Sequence, residues 1–367
     1  MDKDLRHLIY LLFCMDISAS SYIRVFREKN GSVSRANRYF LKKPFPEQPR
    51  LDGRAAGMKK KEDHYKRIIT GIEKKAFRAI HIGGRGYPAG LENIYAPPPV
   101  LFCRGSLAID GFNIAVVGSR RCTRYGKDAA SYISKSLSDM GITVVSGLAL
   151  GIDSMAHMNS VGGRGGTIAV LGSGPDVIYP PENRDLCRQI IGSGAVVTEF
   201  PPGTPPLRQN FPIRNRIISG ISRGVVIVEA GSRSGAMITG ETALEQDREV
   251  FAVPGSIFSC SSRGCHKLIN GGAKLVESAD DIIEEFQGLF TVSGSGAEAG
   301  QAGGRRKAGI GGKAGKVYDN IGHRPESLDR ISLKSGLAVN EVLKAVTMLE
   351  MEEMVREGPS NHYRRSE

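Results

Sequence analysis

Short apolar runs alternate with glycine turns and helical stretches between about residues 105 and 286, and this alternation constrains the fold more than any other feature. Each run is rich in valine and isoleucine and is apolar at consecutive positions, which is typical of a parallel strand buried on both faces. Strand–helix repetition of this kind predicts an α/β fold, a doubly wound Rossmann-like parallel sheet. The predicted strands are 113–117, 143–146, 167–171, 195–198, 224–229 and 250–253. The predicted helices are 127–140, 154–161, 183–191, 214–219 and 237–246.

Composition divides the chain into four predicted regions. Residues 1–84 are rich in lysine and arginine and poor in β-branched residues, which predicts a small helical N-terminal region before the Rossmann-like core at 85–286. Residues 287–315 consist mostly of glycine, alanine and serine, cannot bury a core, and predict a flexible linker. Residues 316–367 regain the periodicity of two amphipathic helices around Gly336 and a short hairpin, which predicts a C-terminal winged-helix module. The alternative for this last region is an interaction module that touches no DNA.

The overall charge favours a polyanionic partner. The formal net charge is +12, and nucleic acid is the commonest polyanion that such a surplus attracts, although a generally basic, solvated surface would give the same count. The short apolar run at residues 8–15 predicts a buried helix segment, not a membrane span.

None of the six cysteines forms a C-x-x-C pair and no signal peptide is evident, so we expect reduced thiols in a cytoplasmic protein. Cys260, Cys265 and His266 are close in sequence, but no second ligand pair answers them, so no metal is expected.

The loop after the first predicted core strand is a candidate phosphate site. It reads Val117-Gly118-Ser119-Arg120-Arg121 and precedes a helix, and the amides at a helix start attract anions. The two arginines add charge and forked donors. The loop matches neither G-x-G-x-x-G nor G-x-x-x-x-G-K-[ST], which disfavours a dinucleotide or triphosphate cofactor.

A second candidate is the polar run at residues 208–220, which contains Arg208, Phe211, Arg214 and Arg216. Basic groups neutralise phosphates and an aromatic ring offers a face to an unstacked base, so this combination suits single-stranded nucleic acid. The alternative is a helix start whose arginines form salt bridges.

Three further loops leave their roles open. Asp153 and His157 follow a glycine-flanked strand end, and a structural role is favoured over catalysis because no Ser-His-Asp set is indicated by spacing. Tyr179 could stack on a base or simply pack. Glu229 and Glu245 could act in a hydrolase, or they could cap a helix or pair with Arg248.

Taken in order, these loops resemble the DNA-processing protein A (DprA/Smf) family over about residues 85 to 286, with a family-like winged tail after the linker. The matching elements in chain order are Gly118-Ser119-Arg120, Ser146-Gly147-Leu148-Ala149 with Gly151-Ile152-Asp153 and His157, Tyr179-Pro180 with Asn183, Phe211-Pro212 with Arg214-Asn215-Arg216, Glu229-Ala230 with Ser234-Gly235, and Val253-Pro254-Gly255. One departure is His266, which stands where the family usually has an asparagine.

The resemblance implies a single-stranded DNA-binding protein that protects incoming DNA and helps load the RecA recombinase during natural transformation. It also implies a homodimer, no catalytic residues and no cofactor. By the same resemblance Arg208 corresponds to a basic DNA-binding position and Phe211 to a base-contacting aromatic. With the charge of Arg121 added, the expected DNA-binding residues are Gly118, Ser119, Arg120, Arg121, Arg208, Phe211, Arg214 and Arg216.

Two other functions compete with this one. The lysine-decarboxylase-like phosphoribohydrolases are nucleotide-hydrolysing enzymes with a similar core, but their P-G-G-x-G-T-x-x-E pattern would fall near residues 234–245, where this chain lacks the doubled glycine. A sequence-specific regulator would instead use the winged tail to read DNA.

Overall fold

The computed structural model describes residues 2–42, 54–106, 109–286, 313–321, 326–351, 354–358 and 362–365. The chain forms two compact units, Met1–Ser293 and Gly294–Glu367. The predicted flexible linker at 287–315 lies almost entirely outside the described residues. No described helix is both long enough and apolar enough to cross a bilayer.

The larger unit is built on one nine-stranded sheet. Its strands are β1 (Arg78–His81), β2 (Val100–Gly105), β3 (Asn113–Val117), β4 (Thr143–Ser146), β5 (Thr167–Val170), β6 (Ala195–Thr198), β7 (Gly224–Ile227), β8 (Glu249–Ala252) and β9 (Lys274–Leu275). The spatial order is β1-β2-β6-β5-β4-β3-β7-β8-β9, and every pair from β6 to β9 is parallel. The chain therefore winds outwards from β3 in both directions, as in a doubly wound fold.

Helices cover the sheet and connect its parallel strands. They are α6 (Arg124–Asp139), α7 (Ile152–Ser160), α8 (Arg184–Ser193), α9 (Asn210–Gly220), α10 (Gly235–Glu245), α11 (Arg263–Asn270) and α12 (Ala279–Glu284), preceded in the chain by α1 (Lys3–Phe13), α2 (Ala19–Glu28), α3 (Val33–Lys42), α4 (Arg54–Glu73) and α5 (Ala89–Glu92). Strands β3 and β4 are buried along their whole length, because helices pack on both of their faces.

The N-terminal helices share the core of the sheet. Leu8 of α1 and Phe26 of α2 are buried in the same apolar cluster as Phe102 of β2. The ring of Phe77 meets Phe102 edge-on, with 5.6 Å between centroids. The predicted apolar run at residues 8–15 is helical as far as Phe13, and Leu8, Ile9 and Leu11 are buried, whereas Tyr10 is exposed.

The predicted fold class is confirmed, with one correction to the sheet. All six predicted strands are present, but β1 and β2, which were not predicted, extend the parallel sheet with antiparallel pairs. Strand β1 lies within the range assigned to the helical N-terminal region, so the predicted boundary at residue 84 falls between two paired strands.

The smaller unit has the predicted winged-helix elements. Its helices are α13 (Lys313–Asp319), α14 (Leu328–Ser335) and α15 (Val339–Met351), and its strands are β10 (Glu326–Ser327), β11 (Val355–Gly358) and β12 (His362–Arg365). Gly336 makes the turn between α14 and α15 with a φ of 67°, a conformation that glycine adopts without strain. Ile331, Val342 and Val355 meet in a small apolar core.

Candidate nucleic-acid interface

The winding direction changes beside β3, which has β4 on one side and β7 on the other. In open α/β sheets, ligands bind in the crevice outside the carboxyl ends of the strands at such a point. The loops that begin at the carboxyl ends of these three strands are 118–123 after β3, 147–151 after β4 and 228–234 after β7. We refer to this side of the sheet, including the loop that follows β5 and the first turn of α9, as the carboxyl edge.

The loop after β3 turns two arginines outwards. A Cβ on Gly118 would lie 2.6 Å from Ile152 Cγ1 and 2.9 Å from the Glu229 carbonyl oxygen, so only glycine fits. The Ser119 amide donates to that carbonyl at 2.7 Å, and the Ser119 hydroxyl accepts from the Arg121 amide at 3.1 Å. The loop is therefore fixed by its own backbone, and the Ser119 amide is engaged and not available to a phosphate. The side chains of Arg120 and Arg121 are exposed.

Arg120 and Phe211 come together although 91 positions separate them in the sequence numbering. The Arg120 guanidinium carbon lies 5.2 Å from the centroid of the Phe211 ring. The ring is half-buried, and one edge of it lies against Gly172. A Cβ added to Gly172 would lie 2.9 Å from Cδ1 of the ring, so glycine is needed for this contact. Tyr179 lies beside it, with 5.8 Å between ring centroids and an exposed fraction of 42%. A cation and two partly exposed rings thus occupy one place at the carboxyl edge.

Arg214 is buried beneath this cluster. Only 4% of it is exposed, and its Nη1 donates to the Gly147 carbonyl at 2.7 Å and also to the carbonyl of Val170. Burial lowers the pKa of Arg214 to about 10, the Asp153 carboxylate opposes that shift, and Arg120 adds to it. The side chain therefore supports the loops after β4 and β5 from inside the molecule.

Arg216 is also turned inwards. It forms an ion pair with Glu199, and both side chains are mostly buried, with 19% and 15% exposed. Burial raises the pKa of the Glu199 carboxyl, and Arg216 counteracts that rise. The salt-bridge alternative that the sequence left open thus describes Arg216, whose partner was not singled out.

Arg208 differs from Arg214 and Arg216 because its side chain faces solvent. It lies in the turn before α9, three residues ahead of Phe211, and it is exposed. No ion pair to it is formed among the residues that the structure describes. Among the three arginines predicted in this run, it is the one whose charge faces solvent.

Asp153 and His157 are structural. Asp153 is 6% exposed, and its Oδ2 accepts from the amides of Gly147 at 3.1 Å and Ala149 at 3.4 Å. His157 is fully buried and its Nδ1 lies 2.7 Å from the Thr167 hydroxyl. That burial lowers the pKa of His157 to about 3, so the imidazole is neutral.

Glu229 fills the position that a phosphate would take in a dinucleotide-binding fold. It is 3% exposed, its Oε2 accepts from the Thr123 amide at the start of α6 at 2.8 Å, and its Oε1 accepts from the Ser261 hydroxyl. A Cβ on Gly126 would lie 2.1 Å from Oε2. The carboxylate thus compensates the helix dipole that would otherwise attract a phosphate. The helix cap itself is Thr123, whose hydroxyl accepts from the Gly126 amide at 3.2 Å, and Glu229 supports that cap by accepting from the Thr123 amide.

Metal ligands do not converge at this edge. Cys265 is buried with its Sγ 3.6 Å from the Ile227 carbonyl, Cys260 is exposed, and His266 Nε2 lies 3.0 Å from the Gly255 carbonyl. Across the described parts of the chain, His, Cys, Asp and Glu form no group that could hold a metal ion.

Comparison with known proteins gives a consistent result. Residues 78–287 match the family model for DNA recombination-mediator protein A, and residues 307–361 match that for the DprA winged helix domain. Protein Smf of Escherichia coli K12 is 38% identical over 80% of this chain and 79% of its own. The structure of DNA processing protein A from Streptococcus pneumoniae is 35% identical, covers 76% of this chain and 97% of its own, and gives a TM-score of 0.62. A structure that addresses the single-stranded DNA binding mode of DNA processing protein A from Helicobacter pylori is 26% identical, covers 59% of this chain and 97% of its own, and gives a TM-score of 0.53.

Proposed function

This chain belongs to the DNA recombination-mediator protein A family, also called DprA or Smf, and on that premise we propose that it binds single-stranded DNA at the carboxyl edge of its sheet. The observation that supports the proposal most is the 5.2 Å approach of the Arg120 guanidinium to the Phe211 ring. It joins a phosphate ligand to a base-stacking face, and only an unpaired strand offers a phosphate and an open base face together.

Recognition proceeds through the backbone first. The exposed guanidinium groups of Arg120, Arg121 and Arg208 bind phosphates, and the ring of Phe211 accepts a base, with Tyr179 beside it. Because every base has an apolar face and every nucleotide a phosphate, binding depends weakly on sequence and strongly on salt. Arg214 and Arg216 contribute by fixing the loops that carry these groups. Gly118 and Ser119 contribute through the tight loop that presents Arg120.

The chain acts by binding and not by turnover. A nucleotide hydrolase of this fold needs an acidic group free to act beside a phosphate-binding helix start. Here Glu229 is buried against two donors and itself occupies the start of α6. This arrangement disfavours the hydrolase alternative. A nucleotide-cleavage assay tests it, and turnover that disappears in Glu229→Gln would overturn the proposal.

The finer biological role follows the family. We propose that the chain acts in the cytoplasm as a homodimer and delivers the bound strand to the RecA recombinase during natural transformation. The mass of the purified chain by light scattering tests the dimer. Strand exchange by RecA on DNA precoated with a single-strand-binding protein tests the delivery, and it should be faster when the chain is present.

The direct test of the site compares Phe211→Ala with Tyr132→Ala, which removes a ring that is 58% exposed on the surface of α6. We expect the parent to bind oligo-dT more tightly than a duplex of equal length. Phe211→Ala should lose about 1–3 kcal/mol for oligo-dT and little for an abasic strand, which has no base to stack. Equal losses on both ligands, or an equal loss in Tyr132→Ala, would contradict the proposed role of the ring.

A further inference from the structure

The loop between β8 and α11, residues 253–262, carries two apolar side chains that nothing in the described structure covers. Phe258 is 91% exposed and Ile257 is 76% exposed. Neither side chain contributes to the core, and an exposed aromatic ring offers a flat face to a ligand that can stack on it. The proposed function does not use either residue.

This loop is anchored and not loosely attached. The Tyr125 hydroxyl donates to the Pro254 carbonyl at 2.6 Å, and His266 Nε2 donates to the Gly255 carbonyl at 3.0 Å. A Cβ on Gly255 would lie 2.2 Å from the Ser262 hydroxyl oxygen, so the loop closes tightly on itself. His266, the departure from the family pattern, thus holds the base of the loop.

The tip of the loop is a defined turn. The Ser259 amide donates to the Ser256 carbonyl at 3.0 Å, and the Phe258 amide donates to the Ser256 hydroxyl at 3.3 Å. The hydroxyls of Ser259 and Ser261 lie 2.7 Å apart. Hydrogen bonds therefore present Phe258 on a fixed turn, which lowers the entropy that a stacking contact would cost.

One carboxylate connects this loop to the proposed DNA site. Glu229 accepts from Ser261 of the β8–α11 loop and from Thr123 of the loop that bears Arg120. The β8–α11 loop follows the carboxyl end of β8, which is separated from β3 only by β7. Phe258 therefore lies at the same edge of the sheet as Arg120. The two loops follow strands that are two positions apart in the sheet, and neighbouring strands lie about 5 Å apart.

The loops next to the β8–α11 loop carry exposed positive charge. Arg121, Arg233 and Arg263 are exposed on the loops after β3 and β7 and at the start of α11. Within the described parts of the chain none of them forms an ion pair with an acidic side chain. Exposed guanidinium groups on the loops next to a fixed aromatic ring are complementary to a polyanion with flat bases.

We propose that Phe258 is a second base-stacking platform, which receives the continuation of the single strand held at Arg120 and Phe211, while Arg233 and Arg263 bind the phosphates on either side. The proposal rests on the proposed function, because it assigns the path of the same strand. It makes the binding site a track along the carboxyl edge from α9 to the β8–α11 loop.

The test uses the full chain and oligo-dT of increasing length, from about 4 to about 16 nucleotides. Phe258→Ala should leave the affinity for the shortest strands unchanged and weaken binding of the longest by about 5- to 150-fold. The matched control is Tyr95→Ala, which removes a side chain that is 97% exposed. Tyr95 follows α5, and α5 lies near the amino end of β8, because Arg248 donates to the Gly90 carbonyl there. The control ring is therefore far from the β8–α11 loop, which follows the carboxyl end of the same strand. The control should bind all lengths like the parent.

A second readout reports stacking directly. The chain contains no tryptophan, so the indole fluorescence of Phe258→Trp comes from this position alone. Long oligo-dT should quench it and the shortest strands should not, while the fluorescence of Tyr95→Trp should not respond to either.

The outcomes separate this inference from the function on which it rests. Loss of binding at all lengths in Arg120→Ala supports the proposed function, and unchanged binding in that variant overturns it. If Arg120→Ala loses binding while Phe258→Ala does not, or loses it equally at every length, the second platform is wrong. If Phe258→Ala instead converts a dimer to a monomer without a length-dependent loss, the ring belongs to a contact between copies of the chain and the inference is overturned.

Discussion

Replacing Arg214 by methionine separates a residue that holds the site from one that touches DNA. Methionine keeps much of the side-chain volume but removes the hydrogen bonds that Arg214 donates to the carbonyls of Gly147 and Val170. A buried carbonyl that loses its partner costs about 1–3 kcal/mol, so the two together cost about 2–6 kcal/mol. The buried carboxylate of Asp153 also loses the positive charge that opposes the burial-driven rise of its pKa. We therefore expect Arg214→Met to lower the free energy of unfolding by about 4 kcal/mol.

The same variant should leave the salt dependence of DNA binding unchanged, because Arg214 reaches carbonyl groups and not solvent. Urea unfolding measures the first effect, and the slope of log K against log salt for oligo-dT measures the second, under conditions where the variant is folded. Arg214→Met/Asp153→Asn should recover about 1–3 kcal/mol, since the unsupported carboxylate is removed. A stability within 0.5 kcal/mol of the parent, together with a salt slope reduced by one contact, would refute the positioning role and restore Arg214 as a phosphate ligand.

Three further predictions concern stability. Burial lowers the pKa of His157 to about 3, so below about pH 6.5 the unfolded chain binds a proton that the folded chain does not. The free energy of unfolding should therefore fall by about 1.4 kcal/mol per pH unit as the pH drops below that value. Urea unfolding measured between pH 7 and pH 5 should show a shallower fall in His157→Gln than in the parent. Gly126→Ala would place a Cβ 2.1 Å from the Glu229 carboxylate at the start of α6 and should lower the melting temperature. Gly192→Ala, on α8 with no atom within 4 Å of the new Cβ, should raise the melting temperature slightly. Equal effects of the two substitutions would contradict the close packing of Glu229 on α6. Glu199→Ala leaves the mostly buried Arg216 without a counter-charge and should cost about 3–5 kcal/mol in urea unfolding, and a cost below 1 kcal/mol would show that the pair contributes little.

The core strands could be predicted because burial on both faces forces a run of apolar residues. Strand β3, for example, is buried at all five positions. Strand β1 escaped prediction because it is an edge strand whose residues, Arg78 to His81, are only partly buried and carry no apolar run. Its place in the sheet is decided by the pairing with β2, which local sequence does not encode.

The convergence of the candidate residues could be predicted more fully than the contacts that each of them makes. Strand ends on a parallel sheet share one edge, so the loops of Arg120 and Phe211 were expected near each other. Whether an arginine faces inwards depends on what lies opposite it. Arg214 meets carbonyls of two strands and Arg216 meets Glu199, and these contacts join positions far apart in the chain. The rings of Tyr179 and Phe258 carried only a weak signal, an aromatic residue in a loop at a strand end.

The central claim is that phosphates of an unpaired strand bind at Arg120, and the salt dependence of oligo-dT binding tests it most directly. The measurement compares the parent with Arg120→Ala and with Arg223→Ala, which removes an exposed arginine at the opposite, amino end of β7. We predict that Arg120→Ala weakens binding and reduces the slope of log K against log salt by about 0.7, the value for one lost phosphate contact on a single strand. Arg223→Ala should match the parent. An unchanged slope and affinity in Arg120→Ala, or the same reduction in both variants, would contradict a specific site at the carboxyl edge.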